Sequence, residues 1–153
     1  MARTGYAIGG LAVAVIAIMG TAAAAQVLDA VYRGTLVCDK LPFTHTIMRE
    51  AIDVTIAGGA VRYTHVVRLR ETAEAKAEQG TGTLRGQDIS LQGSWDGGAR
   101  QYKASYSGSF VRRSVKLKGT QIWTDGGKTI TRACSGAIKR PLRAFLPRNR
   151  NKP

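Results

Sequence analysis

The side chains best suited to chemistry in this 153-residue chain lie at alternate positions of apolar segments. Acidic, basic and amide groups there could orient a ligand, while tyrosine and tryptophan rings could form the walls of a cavity. The candidate ligand-binding residues are Glu50, Tyr63, His65, Trp95, Tyr102, Tyr106, Arg113, Gln121, Trp123 and Arg132. The guanidinium groups of Arg113 and Arg132 would suit a carboxylate or a phosphate.

The same residues have a purely structural interpretation. The interior of a small barrel is little larger than its own side chains, so the aromatic rings could simply fill it. Glu50 could form an internal ion pair with Arg113 or Arg132. His65 could be a hydrogen-bonded core residue, and Gln121 could bond a free backbone group. Both interpretations stay open from the sequence alone.

Known catalytic motifs are incomplete in this sequence. The segment Gly126–Thr129 ends like a phosphate-binding loop, but Ile122 stands where the first glycine of that motif is required. The glycines of Gly80–Gly86 miss the dinucleotide-binding spacing by one residue, and no Gly-x-Ser-x-Gly is found. His45 and His65 lack a spacing that would place both on one metal ion. We therefore predict a non-enzyme without a cofactor or a metal site.

The element that must position the candidates is a series of short strands. Period-two alternation of apolar and polar residues predicts eight strands, at about 30–38, 47–57, 60–71, 80–86, 88–95, 100–109, 111–123 and 128–138. Glycine-rich turn sequences, such as Asp96-Gly97-Gly98 and Asp125-Gly126-Gly127, separate several of them. Only Arg70–Gln79 breaks the alternation, and its composition favours a loop or one helical turn.

Eight sequential strands joined mostly by tight turns predict an all-β fold, a single antiparallel up-and-down β-barrel, because closure removes both sheet edges. A two-sheet β-sandwich is the alternative. The barrel architecture resembles that of lipocalins and avidins in its pattern alone. Gly34-Thr35-Leu36 stands where lipocalins have Gly-x-Trp, and Gly119–Trp123 is loosely similar to the Thr-Gln-Trp strand of avidins. The resemblance implies a secreted barrel that binds a small ligand.

The two cysteines, Cys38 and Cys134, are predicted to form a disulfide. They lie in or near the first and last predicted strands, which closure of a barrel pairs with each other. The bond could therefore fasten the closing seam. The alternative is a pair of buried free thiols.

The first 25 residues are predicted to be a cleaved secretory signal peptide. Arg3 provides a positive start, Ala7–Met19 is uncharged and apolar, and small residues follow up to Ala25. We place the mature N-terminus at Gln26 and the protein in the periplasm or the extracellular space. The alternative is an uncleaved N-terminal membrane anchor, since Ala7–Ala25 has almost the length of a membrane span.

Apart from Arg3 in the predicted signal peptide, the formal net charge of +13 divides between two parts of the chain. The barrel domain is assigned to 26–138, and 139–153 is assigned to a basic, proline-containing tail without an acidic residue. The candidate polyanion-binding residues of the tail are Lys139, Arg140, Arg143, Arg148, Arg150 and Lys152.

Such a tail suits an anionic lipid, a lipopolysaccharide or an acidic glycan, or it is simply solvated. A charge this high often indicates nucleic-acid binding, but the export signal argues against that partner. The sequence thus predicts an exported, non-catalytic barrel with a small ligand in its interior. The alternative is an envelope protein that binds anionic surfaces through its tail.

Overall fold

A computed structural model describes residues 28–69 and 76–141 of the chain. These residues form eight β-strands: β1 (Ala30–Cys38), β2 (Met48–Ala57), β3 (Ala60–Val67), β4 (Lys76–Arg85), β5 (Asp88–Asp96), β6 (Arg100–Val111), β7 (Ser114–Asp125) and β8 (Lys128–Lys139). Every strand pairs antiparallel with the next one, and β1 also pairs with β8. The predicted closed up-and-down barrel is confirmed, and the sandwich alternative is excluded.

Side chains alternate between the barrel interior and the solvent along every strand. In β6, for example, Tyr102, Ala104 and Tyr106 are buried, whereas the intervening residues are exposed. This alternation follows from the pleat of a strand, whose successive side chains point to opposite faces. The inward-facing apolar side chains therefore form one continuous core inside the barrel.

The prediction of a loop or one helical turn over Arg70–Gln79 was wrong at 76–79. Strand β4 begins at Lys76, and it pairs with β3 from that residue onward; 70–75 lie outside the described residues. The local composition suggested a loop, but tertiary pairing overrides a weak local preference. Here Glu78 gains several buried hydrogen-bond partners by lying in the strand.

The two ends of the barrel differ in the length of their connections. At one end, here called the closed end, the residue pairs 58–59, 86–87 and 112–113 join neighbouring strands. Gly58, Gly59 and Gly86 adopt positive φ there, as tight hairpins require. At the opposite end, called the open end, the β1–β2 connection spans 39–47; β3 ends there at Val67, and β4 begins there at Lys76.

The disulfide between Cys38 and Cys134 is formed, as predicted. The two residues are direct partners in the β1–β8 pairing, and both are buried. Beyond them, the amide of Asp39 donates to the carbonyl of Ala133 at 2.9 Å, which extends the seam by one hydrogen bond. The covalent bond therefore joins the first and last strands of the barrel.

We expect replacement of both Cys38 and Cys134 by alanine to destabilise the protein. The bond closes a loop of 96 residues, for which the chain-entropy description gives about 4–5 kcal/mol of stability. Urea unfolding of the variant and the oxidised protein measures the difference. A reduced wild-type sample is the control, and it should match the variant closely. Unchanged unfolding of the double variant would contradict a stabilising seam.

Candidate functional site

A connected set of polar side chains crosses the barrel interior. We call this set the interior network, and its members are Tyr63, His65, Glu78, Tyr102, Tyr106, Gln121, Trp123 and Arg132. Every member is buried. Buried polar groups are costly unless they are hydrogen-bonded, so the connections within the set determine whether it can exist.

Glu78 on β4 is the acceptor at one end of the interior network. The hydroxyl of Tyr63 donates to its Oε1. The hydroxyls of Tyr102 and Tyr106 donate to its Oε2 at 2.6 Å and 3.1 Å. Nδ1 of His65 also contacts Oε2, at 2.9 Å. An ionised carboxylate only accepts hydrogen bonds, so four surrounding donors compensate much of the cost of burying its charge.

Arg132 on β8 carries the opposite charge at the other end. Its Nε and Nη2 donate to Oε1 of Gln121 at 2.8 Å and 2.5 Å, and its Nη1 donates to the carbonyl of Asp39 at 3.4 Å. Gln121 in turn donates to the Tyr106 hydroxyl at 2.7 Å. Because that hydroxyl donates to Glu78, an unbroken path of hydrogen bonds connects the buried anion with the buried cation.

The buried surroundings shift the pKa values of the network members. Burial, reinforced by the negative charge of Glu78, raises the pKa of Tyr63, Tyr102 and Tyr106 well above the usual tyrosine range. Burial lowers the pKa of Arg132 to about 10, although Tyr102, Tyr106 and Glu78 oppose this shift. At neutral pH the three phenols remain protonated and can donate, and Arg132 remains a cation.

Two glycines create the space that Tyr63 needs to reach the carboxylate. A Cβ at Gly93 would lie 2.3 Å from the Tyr63 hydroxyl, and a Cβ at Gly80 would lie 2.2 Å from the same ring. Any larger residue at either position would therefore displace Tyr63.

The interior aromatic rings contact one another. Trp95 stacks on Tyr102 with ring centroids 5.7 Å apart, and Trp123 lies 4.5 Å from Tyr102 and 5.5 Å from Trp95. From the open end, Phe43 contacts Trp123 edge-on at 5.5 Å. These separations are typical of packed aromatic pairs. In this layer the rings form part of the core.

Two ring nitrogens in the interior have no hydrogen-bond partner within the described part of the chain. They are Nε2 of His65 and Nε1 of Trp95. His65 is held by Glu78 through its other nitrogen, an arrangement that fixes the ring orientation.

Within the described residues, a cleft lies at the open end of the barrel. It has a volume of about 300 Å³. Its lining residues are Phe43, Thr44, Thr46, Ile47, Met48, Arg49, Glu50, Arg68, Leu69 and Arg100. We call this cleft the mouth cleft, and it combines apolar surface with three guanidinium groups and one carboxylate.

The 39–47 connection is folded into a definite conformation beside the mouth cleft. Thr44 accepts from the amide of Leu41 at 3.0 Å through its hydroxyl, and its own amide donates to the Leu41 carbonyl at 3.0 Å. Leu41 is buried, and Phe43 supports the guanidinium of Arg100 at 4.2 Å from its ring centre. Nε of Arg100 also donates to Asp125 at 3.1 Å, so one wall of the cleft is fixed in place.

Eight of the ten predicted ligand-binding residues lie in the barrel interior: Tyr63, His65, Trp95, Tyr102, Tyr106, Gln121, Trp123 and Arg132. Glu50 lies at the mouth cleft instead, where its side chain is 17% exposed and pairs with Arg68 at 3.9 Å. The expected ion pair of Glu50 with Arg113 or Arg132 is therefore wrong. The expected bond of Gln121 to a backbone group is also replaced by bonds to side chains.

Arg113 was expected in the interior, and that prediction is wrong. It lies exposed in the β6–β7 turn at the closed end, where its Nη2 donates to the carbonyl of Pro141 at 3.2 Å. The turn contains no glycine and therefore no recognisable turn signal, and the apolar–polar alternation of the predicted strand 111–123 was extended through it. Arg112 adopts the positive φ of 58° that such a turn needs.

Glu78 is the interior residue that the sequence reasoning missed. The signal was present, since Glu78 shares the parity of Gly80, Gly82 and Leu84, and extending that phase backwards places it inside the barrel. The alternation was not recognised because the Ala- and Glu-rich composition of Arg70–Gln79 favoured a loop or one helical turn.

Of the candidate polyanion-binding residues, Lys139 and Arg140 lie at the end of β8 and just after it. Arg143, Arg148, Arg150 and Lys152 lie outside the described residues, as do 1–27 with the predicted signal peptide. Within 28–69 and 76–141, no group of three or more His, Cys, Asp or Glu side chains could hold a metal ion. In the same ranges, no helix has the length and apolar character of a membrane span.

The fold and the mouth cleft define a small, disulfide-closed antiparallel β-barrel with eight strands. No protein-family model, no curated protein and no solved structure matches this chain.

We expect Glu78→Gln to lower the free energy of unfolding by about 2–4 kcal/mol. The amide offers one acceptor oxygen in place of two, and its NH₂ group faces hydroxyl donors, so at least one buried donor loses its partner. Urea unfolding measures the loss. Gln79→Ala, on the exposed face of the same strand, is the matched control and should change stability by less than about 0.5 kcal/mol. Equal effects of the two substitutions would contradict the central position of Glu78.

We also expect a steep loss of stability in alkali. The pKa of Tyr63, Tyr102 and Tyr106 is raised in the folded state, so the unfolded chain loses these protons first as the pH rises above about 10. The stabilisation that these protonated tyrosines contribute is therefore fully present below that pH. Above it, the free energy of unfolding falls by about 1.4 kcal/mol per pH unit for each tyrosine. Absorbance at the phenolate band should change together with circular dichroism. Ionisation of these tyrosines before unfolding would contradict the buried network.

Proposed function

We propose that the protein is an exported, non-catalytic β-barrel that binds a small amphipathic anion in its mouth cleft. The observation that carries the proposal is the lining of that cleft. Its volume of about 300 Å³ lies at the lower end of the range for small-molecule sites. Apolar surface with a few convergent charges is the usual construction of such sites.

The apolar part of the lining favours a ligand with a hydrocarbon or aromatic body. Ile47 is 58% exposed although it is large and apolar, and Phe43 and Leu69 adjoin the same cleft. A ligand that covers Ile47 would remove its side chain from water and gain about 25 cal/mol for each Å² of apolar area buried. The exposed position of Ile47 thus supports binding of an apolar group.

The charged part of the lining favours an anionic head group. Arg49, Arg68 and Arg100 outnumber Glu50 in the cleft, and because Asp125 pairs with Arg100 at 3.1 Å, an excess of one positive charge remains. Arg68 is the adaptable member, because its side chain is 69% exposed and its contact with Glu50 is long, at 3.9 Å. A ligand carboxylate could accept hydrogen bonds from Arg68 without breaking a strong existing pair.

The proposed site is the mouth of the barrel rather than its centre. The interior rings contact one another, and the charged groups of the interior network are hydrogen-bonded to other members of that network. Phe43 nevertheless links the two regions, since it lines the cleft and touches Trp123. A ligand in the cleft should therefore change the fluorescence of Trp123.

Octanoate and octylammonium, which share an apolar body and carry opposite charges, test this proposal. We expect octanoate, but not octylammonium, to bind saturably. Titration calorimetry and tryptophan fluorescence measure the binding. Arg68→Gln should weaken octanoate binding by roughly fivefold, as expected for a partly exposed charge-assisted contact of about 1 kcal/mol. Arg62→Gln on the outer face of β3 is the matched control and should leave the affinity unchanged. Equal binding of both compounds, or of neither, would overturn the proposed site.

Export is supported by the order of residues in 1–25 and, weakly, by the disulfide, which is favoured in an oxidising compartment. We expect bacterial expression of the full chain to yield an exported form that begins at Gln26, identified by intact mass. Ala25→Lys should block cleavage, whereas Thr21→Ser should not. A full-length product in the membrane fraction would instead support the N-terminal anchor, and full-length protein in the cytoplasm would contradict export.

A further inference from the structure

The closed end of the barrel carries a concentration of basic side chains on the folded domain itself. We call this the closed-end patch, and its members are Arg33, Arg112, Arg113, Lys116, Lys139 and Arg140. They come from β1, the β6–β7 turn, β7 and the end of β8. Residues that are distant in sequence are therefore collected on one surface by the closure of the barrel.

The strand register shows that the patch is continuous. Lys139 is the direct partner of Arg33 across the β1–β8 pairing and of Ser114 across the β7–β8 pairing. The amide of Arg140 donates to the carbonyl of Arg113 at 2.9 Å, which attaches the end of β8 to the turn. The cations of the turn and those of β8 thus belong to one surface.

This arrangement has a cost to the folded protein. Arg33 and Lys139 both face solvent directly opposite each other, and like charges in such a position are destabilising. Two acids lie nearby: Asp53 pairs with Arg33 at 3.5 Å, and Asp29 accepts from the amide of Gly58. With both acids counted, the patch keeps an excess of four positive charges.

An apolar residue stands at the edge of these cations. Val111 ends β6, immediately before Arg112 and Arg113, and it is 68% exposed. Val31, two residues before Arg33 on β1, is also exposed. An apolar tip beside guanidinium groups can enter the boundary between head groups and acyl chains while the cations bind lipid phosphates.

The chain that continues from this surface has the same character. After Arg140 it contains four more basic residues and no acid up to Pro153, together with Leu142, Phe145 and Leu146. Pro141, the last described residue, lies at the closed-end patch, where its carbonyl accepts from Arg113 at 3.2 Å.

We propose that the closed-end patch is a docking surface for an anionic phospholipid bilayer. Charge complementarity, the exposed Val111 and the basic chain that begins there carry the assignment. The mouth cleft lies at the opposite end of the barrel, so a docked protein keeps its cleft directed away from the membrane. This inference is independent of ligand binding in the cleft, and either one can fail without the other.

Sedimentation with phosphatidylglycerol-containing vesicles tests the docking surface. The chain from Gln26 onward is used, because it contains the whole closed barrel and lacks the apolar segment before it. The charge-removal variant combines Arg112→Asn, Lys116→Gln and Lys139→Gln. Asparagine is chosen because it tolerates the positive φ of Arg112. The control with equal charge, Lys40→Gln, Lys76→Gln and Lys128→Gln, removes three exposed cations at the open end.

We expect roughly 100-fold weaker vesicle binding for the charge-removal variant, from about a fivefold loss for each of its three cations. The open-end control should bind almost as well as the wild type. Binding should decrease at high salt and be weak on phosphatidylcholine vesicles. A form ending at Pro141 should retain salt-dependent binding, since the patch belongs to the folded domain.

Equal binding by the charge-removal variant and the open-end control would overturn the proposal. Complete loss of binding on truncation at Pro141, with no loss in the charge-removal variant, would assign the interaction to the tail instead and also overturn it. Urea unfolding confirms that the variant is folded. If it is not, the double variant Lys116→Gln and Lys139→Gln, which leaves the turn intact, gives the same comparison with an expected reduction of roughly 10- to 100-fold.

Discussion

The interior of this barrel depends on the burial of one carboxylate. Glu78 has no exposed surface, and an isolated anion in such a place would be prohibitively costly. It is tolerated because β3 and β6 direct tyrosine and histidine donors at it from several sides. The cation that balances it, Arg132, is reached through Tyr106 and Gln121. A small closed barrel can supply this enclosure because its strands face a common axis.

The same network connects the core with the open end. Arg132 donates to the carbonyl of Asp39, at the start of the 39–47 connection, and its guanidinium lies 4.9 Å from the ring centre of Trp123. Phe43, on the same connection, packs against Trp123 and also supports Arg100 in the wall of the mouth cleft. Groups that compensate a buried charge therefore also position the surface proposed to bind a ligand.

Alternation and turn sequences were sufficient to predict the closed barrel and the interior location of residues such as Tyr63 and Tyr106. The disulfide was predicted from the pair of cysteines and the expected export, and the barrel placed it at the seam. Strand parity is a local property, so one sequence can reveal it. Glu78 was missed because composition favoured a loop where pairing imposed a strand. The partner of Glu50 could not be predicted, because contacts between strands depend on the stagger of the whole barrel, which local patterns do not encode.

The height of the barrel separates the chemistry of its two ends. Strands of 12 residues, such as β6–β8, span roughly 30 Å along the axis when they are tilted as in small barrels. The Debye length at physiological ionic strength is only about 8 Å, so exposed cations of the closed-end patch are largely screened from the mouth cleft. The arginines around Glu50 must therefore supply the attraction for an anion locally. The overall positive charge of the protein is thus divided between two electrostatic features, the mouth cleft and the closed-end patch. The length of the closed barrel separates them.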